Sequence, residues 1–165
     1  KAFNIAGLQT AAVMIPNKQI RHTVNHGLNT DEVAEPNSIA IVANIAAFTN
    51  GENWLESLRE YLFENRRIAE EFLNKELPEV KLISAEATYL LWLDCKEISN
   101  SSEELNNFIC DETGLRLSSG NSYGECGDGF LRMNIACPRE RLIDGLNRLK
   151  KSIDLKLTSA RNMDI

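Results

Sequence analysis

Apolar and polar positions change period several times along the chain, and each change marks an element. The strongest signal is a helical stripe. Trp54, Leu55, Leu58, Tyr61, Leu62, Ile68, Ala69, Phe72 and Leu73 recur at helical spacing until Pro78 ends the run. Before it, Ser38 is placed to cap a helix through Ile41, Val42, Ile45 and Phe48, stopped by Asn50-Gly51. Further upstream, Ala11 to Ile15 reads as a short buried strand closed by Pro16-Asn17, and Lys18 to Gly27 as a helix ended by its glycine. The polar, proline-containing stretch from Asn29 to Asn37 reads as a linker. After Pro78, Lys81–Ser84 and Tyr89–Asp94 read as strands. Ser101 or Ser102 caps a helix with Leu105, Phe108 and Ile109 inward, ended by Thr113-Gly114. Leu115–Ser118 and Phe130–Ala136 are the remaining strands. Pro138 opens a last helix with Leu142, Ile143, Leu146, Leu149 and Ile153 on one face, and residues 158–165 read as a frayed tail. This order predicts a small sheet covered by helices on one face.

Composition narrows the class. With 165 residues, 43% hydrophobic and 25% charged, the chain can bury a core of its own. A net charge of −6, spread along the chain, argues against a nucleic-acid partner, since binding a polyanion requires a positive patch. Arg66-Arg67 and Lys150-Lys151 fall within helical patterns, where a solvated face suffices. The longest apolar run, Ile39 to Phe48, is too short to span a bilayer, which takes about 20 residues. Cys95, Cys110, Cys126 and Cys137 lie far apart with no C-x-x-C pair, as expected of reduced thiols in the cytoplasm. His22 and His26 share a helical face, but they lack a third ligand, and no metal site is expected.

Candidate chemistry sits at two places. On spacing alone Lys1 is a terminal lysine, and Arg132 could be an arginine on the solvent side of a half-exposed strand. Along Phe130 to Ala136 the side chains alternate, so Leu131, Met133 and Ile135 form an apolar face and Arg132 and Asn134 project from the other. A guanidinium fork on such a face matches a carboxylate with two parallel hydrogen bonds. The loop from Gly120 to Gly129 carries four glycines in ten residues but no following Gly-Lys-Ser/Thr, so it is not a Walker-type phosphate loop. Cys126 within it has no base partner in sequence and is not expected to act as a nucleophile.

The run Lys1-Ala2-Phe3-Asn4-Ile5-Ala6-Gly7-Leu8-Gln9, the loop Gly120-Asn121-Ser122-Tyr123-Gly124-Glu125-Cys126-Gly127-Asp128-Gly129, and Phe130-Leu131-Arg132-Met133-Asn134 after it together resemble a known family. They are similar to the C-terminal part of MalY/PatB-type cystathionine β-lyases, of the class I/II aminotransferase superfamily. Thr88 to Asp94 also resembles a strand of that family, although ordinary strand packing explains Trp92 and Asp94 equally well. The resemblance implies an α/β (α+β-like) small domain with a mainly antiparallel sheet, as in the C-terminal domain of fold-type-I enzymes. It implies that residues 1–35 are a remnant of the large, cofactor-holding domain and 36–157 the small domain. It also implies that Lys1 holds pyridoxal 5′-phosphate as a Schiff base, which requires a lysine pKa well below its usual ~10.4, and that Arg132 binds the substrate α-carboxylate. Many class I aminotransferases carry an arginine for the cofactor phosphate where this chain has Gln9, which favours the lyase branch. The implied activity is carbon–sulfur β-elimination from cystathionine or cysteine conjugates, giving a thiol, pyruvate and ammonia, in a homodimer; this chain by itself is expected to be inactive. An aminotransferase, or a non-catalytic α/β binding or oligomerisation module, are the alternatives.

Overall fold

The structure, a computed structural model, describes residues 2–33 and 35–163, with side chains as far as 159. Its elements are α1 (Lys18–Thr30), α2 (Ser38–Asn50), α3 (Glu52–Glu76), β1 (Lys81–Leu82), β2 (Leu90–Asp94), α4 (Ser102–Thr113), β3 (Ser118–Ser119), β4 (Phe130–Asn134) and α5 (Arg139–Met163). The chain divides into two compact units, Lys1–Arg59 and Glu60–Ile165, and α3 runs through the division. No helix among the described residues is long and apolar enough to cross a membrane.

The second unit holds the sheet. Its strands are ordered β1-β2-β4-β3, and every neighbouring pair is antiparallel. Period-two alternation sends Leu91 and Leu93 of β2 and Leu131 and Met133 of β4 to one face, all of them buried. On that face they join Ala69 and Leu73 of α3, Leu105 and Ile109 of α4, and Leu142, Leu146, Leu149 and Ile153 of α5 in a single core. The sheet is covered by helices on one side, and its short strands find their stability there, each fully buried Leu or Ile contributing roughly 1.5–3 kcal/mol. Ser101 caps α4, its hydroxyl accepting from Glu104 N at 3.3 Å, and Gly114 closes the helix in the left-handed region at φ 71°.

In the first unit the arm before α1 folds back on α2. Phe3 meets Phe48 edge-on at 5.2 Å and stacks with Trp54 at 6.1 Å, and the Asn37 side chain donates to Leu8 O at 2.9 Å. Among the described side chains of α2 only Ala40 is buried, while Ile39, Ile41, Val42, Ile45 and Phe48 are exposed.

Several boundaries differ from the sequence expectation, for physical reasons. Residues 11–15 are not a strand but an irregular segment without ladder partners, with Met14 93% exposed. An apolar run becomes a strand only when another strand satisfies its backbone. Helix α1 continues through Gly27 to Thr30, since one glycine costs a helix only about 1 kcal/mol. The cap of α2 is Asn37, whose Oδ1 accepts from Ala40 N at 2.8 Å, one residue before the serine expected to serve. Strand β3 holds only Ser118–Ser119, because the Asn106 amide replaces a ladder neighbour for Leu117. Its Nδ2 donates to Leu117 O (3.1 Å) while its Oδ1 accepts from Leu117 N (3.0 Å). Helix α5 continues to Met163 through the segment expected to fray, which contains neither glycine nor proline to break it.

Candidate functional site

The face of the sheet opposite the core carries the polar and aromatic side chains. Antiparallel register sets Trp92 of β2, Arg132 of β4 and Ser118 of β3 in one row straight across it. Arg132 therefore stands mid-sheet, half-buried, between an indole and a hydroxyl. Its Nη2 donates to Ser118 Oγ at 3.2 Å, and the guanidinium carbon lies 4.6 Å from the centre of the Tyr123 ring. No other acceptor and no carboxylate among the described residues engages it. A half-buried guanidinium with most of its five donors unspent can take an anion, and its planar fork matches a carboxylate.

Aromatic rings surround this cation. Trp92 stands edge-on to Tyr123 at 5.4 Å and to Phe130 at 6.3 Å. Lys96 adds a second positive charge, its Nζ 4.3 Å from the Phe130 ring centre. Asn134 shares the face, as its register predicts, but its Oδ1 accepts from Ala136 N at 2.8 Å and so ties down the strand end.

Tyr123 reaches Arg132 from the glycine-rich loop, which is built from two 3-10 turns, Gly120–Tyr123 and Glu125–Gly127. Gly120 and Gly127 pass backbone against backbone: a Cβ on either would run into the other's carbonyl oxygen. The loop is also tied to the first residue of α4. Ser102, fully buried, donates from its backbone N to Asp128 Oδ1 at 3.0 Å, while its hydroxyl lies 3.1 Å from both Asp128 Oδ1 and Gly127 O. An aspartate at a helix N-terminus also faces the positive end of the helix dipole.

Of the residues singled out in the sequence, Lys1 lies outside the described residues. Phe3, two positions on, is held by Phe48 and Trp54, and Gly7 faces open space. Sequence reasoning missed Trp92, Tyr123, Ser118 and the Ser102–Asp128 clamp. Trp92 was visible only as part of an alternating strand, and nothing periodic marks Tyr123. Cys126 is an exposed free thiol, and Cys95 is a buried one.

No family model matches the chain. It is 38% identical over 153 residues to the cystathionine beta-lyase PatB of Bacillus subtilis, a match covering 93% of this chain and 40% of that protein. Identity to protein MalY of Escherichia coli is 33% over 154 residues, again 93% of this chain and 40% of the relative. The chain belongs to the PatB/MalY family. Its fold agrees: a PLP-bound C-S lyase from Staphylococcus hominis, solved with the inhibitor L-cycloserine, superposes with a TM-score of 0.80 at 34% identity, over 92% of this chain and 37% of that one. The chain thus spans about 40% of the length of the curated family members it matches, and its small antiparallel sheet with helices on one face is the α/β fold of the family's C-terminal domain.

Proposed function

We propose that the protein carrying this chain is a pyridoxal-phosphate-dependent carbon–sulfur β-lyase that cleaves cystathionine or cysteine conjugates. The observation that carries this reading is the Arg132 guanidinium on the sheet face opposite the core, without a carboxylate partner among the described residues, in a chain 38% identical to a cystathionine β-lyase. The described residues fit an amino-acid substrate on that count, since an α-carboxylate supplies the anion that no described side chain provides.

When bound, pyridoxal phosphate supplies an electron sink that makes the substrate Cα proton acidic and lets a β-thiol depart. Lys1 would hold the cofactor through its ε-amine and, once displaced by substrate, would serve as the general base for the Cα proton. Arg132 grips the α-carboxylate and so fixes which Cα bond stands ready to break. Trp92 and Tyr123 limit water around that ion pair and strengthen it. With water consumed, the products are a thiol, pyruvate and ammonia.

Residues 1–35 belong to a larger cofactor-holding domain and residues 36–157 to the small domain. The exposed apolar side chains of α2, with Val13 and Met14 before it, support this reading, because such surface is ordinarily covered in a complete protein. The working form is a homodimer, and the four free thiols suit a reducing compartment such as the cytoplasm.

Arg132→Ala in the full-length protein tests the assignment. Removing a charge-assisted pair worth ~3 kcal/mol should raise KM for the amino acid about 100-fold, with Arg132→Lys intermediate because a point charge cannot replace the fork. An unchanged KM for the amino acid in Arg132→Ala would refute the carboxylate role. Pyruvate formation without added ketoacid separates β-elimination from amino-group transfer.

A further inference from the structure

We propose that Tyr123 is the positioning residue for Arg132: its ring sets the plane of the guanidinium, and the clamped glycine-rich loop sets the ring. This rests on Arg132 being the carboxylate anchor. The backbone of Arg132 is fixed by ladders on both sides, but several rotatable bonds separate it from the charged fork. Two contacts restrain that fork. Ser118 Oγ accepts one N–H at 3.2 Å and fixes one corner. The Tyr123 ring, 4.6 Å from the guanidinium carbon, supplies a face against which the cation packs. One hydrogen bond leaves a planar group free to swing, and a ring beneath it removes that freedom. The remaining N–H groups are then offered to a carboxylate in one orientation, and less rotamer entropy is lost when it binds.

Tyr123 is poorly suited to a packing role. It is half exposed, and its ring contacts are Trp92 and Arg132. Trp92 is also the cross-strand neighbour of Arg132, so the sheet braces the ring that braces the arginine. Because Tyr123 belongs to the loop, its position depends on how the loop closes. The backbone contact of Gly120 with Gly127 and the hold of Ser102 on Asp128 provide that closure. The Ser102 hydroxyl has a single proton to share between Asp128 and Gly127 O, whereas its backbone N–H is committed to Asp128.

The test uses the full-length, cofactor-loaded protein and steady-state β-elimination kinetics with cystathionine. Tyr123→Phe keeps the ring face and should retain the native KM. Tyr123→Leu should raise KM about 3- to 10-fold, the range of a partly desolvated cation–π contact, with kcat within about twofold of native. Replacing Tyr123 by pentafluorophenylalanine preserves the shape while reversing the ring's charge distribution. It should reproduce the KM increase at unchanged melting temperature, and it keeps the test open should Tyr123→Leu fold poorly. In an Arg132→Lys background the Tyr123→Leu effect should fall below about twofold, since no planar fork remains to be oriented. A native KM in the fluorinated variant, an effect confined to kcat, or an equal effect in the Arg132→Lys background would each overturn the proposal. Insensitivity of KM to Arg132→Ala would instead overturn the carboxylate anchor beneath it, so the two failures are distinguishable.

Discussion

Asn65→Leu is a demanding test of how β4, the strand that carries Arg132, is anchored. Asn65 lies in α3 at 0% exposure, surrounded by the apolar core. Its Nδ2 donates to Ile135 O at 3.0 Å and Cys137 O at 3.1 Å, and its Oδ1 accepts from Arg139 Nε at 3.4 Å. One amide thus holds the segment where the chain leaves β4 and turns into α5. Leucine keeps the branched outline but carries bulkier methyl groups and no donor, so the substitution leaves no cavity and strips two carbonyls of their partner. The bond to Ile135 O is buried and that to Cys137 O part-buried, and each orphaned acceptor costs roughly 1–3 kcal/mol. Extra apolar burial returns about 1 kcal/mol, which leaves a net loss of about 1–5 kcal/mol. Urea unfolding of the 165-residue chain, followed by far-UV circular dichroism, reads this directly. With a slope of about 2 kcal/mol/M the midpoint should fall by roughly 0.5–2.5 M at constant slope. A midpoint within about 0.3 M of native would correspond to well under 1 kcal/mol. It would mean that these carbonyls find water or other donors and that the anchoring argument is wrong.

Two further outcomes follow from other parts of the second unit. Gly120→Ala places a methyl against Gly127 O and within 2.7 Å of Phe130 O, both backbone atoms that cannot rotate aside. The loop must reopen, with a stability loss of about 1–3 kcal/mol and a changed near-UV signal from the Trp92–Tyr123 pair; native values for both would exclude the close approach. Burial, with a smaller push from the Asp94 carboxylate, raises the Cys95 thiol from 9.0 to about 12. The folded chain then keeps a proton that the unfolded chain releases, so this contribution to stability is complete below about pH 9 and is lost as pH rises towards 12. The loss runs at about 1.4 kcal/mol per pH unit. Cys95→Ala should flatten that part of the stability profile, and a thiol reagent should label exposed Cys126 long before Cys95; equal labelling rates would contradict the burial.

The helices and the two faces of β4 were legible because each is written locally. Leu131, Met133 and Ile135 alternate with Arg132 and Asn134, and that pattern alone assigns the core side of the strand. The same rule could not identify what stands beside Arg132. Ser118 and Trp92 become its neighbours through antiparallel register, and no local window contains that information. Tyr123 was less accessible still, since its place follows from two glycines in backbone contact and a serine–aspartate clamp between distant segments.

The misread elements fail for a related reason. The apolar run from Ala11 to Ile15 looks like a strand, but pairing is a property of two segments, and no described segment pairs with this one. Leu115 to Leu117 has strand composition, yet the Asn106 amide takes up both backbone groups of Leu117 and ends the ladder early. In both cases the hydrogen-bond partner, not the apolar composition, decided the structure, and the first run is largely exposed rather than buried. The sheet face opposite the core obeys the same logic. Arg132 attracts notice in the sequence as a lone charge on a strand. It becomes a candidate anion site through what the fold leaves beside it, because among the described residues only Ser118 accepts a hydrogen bond from its guanidinium.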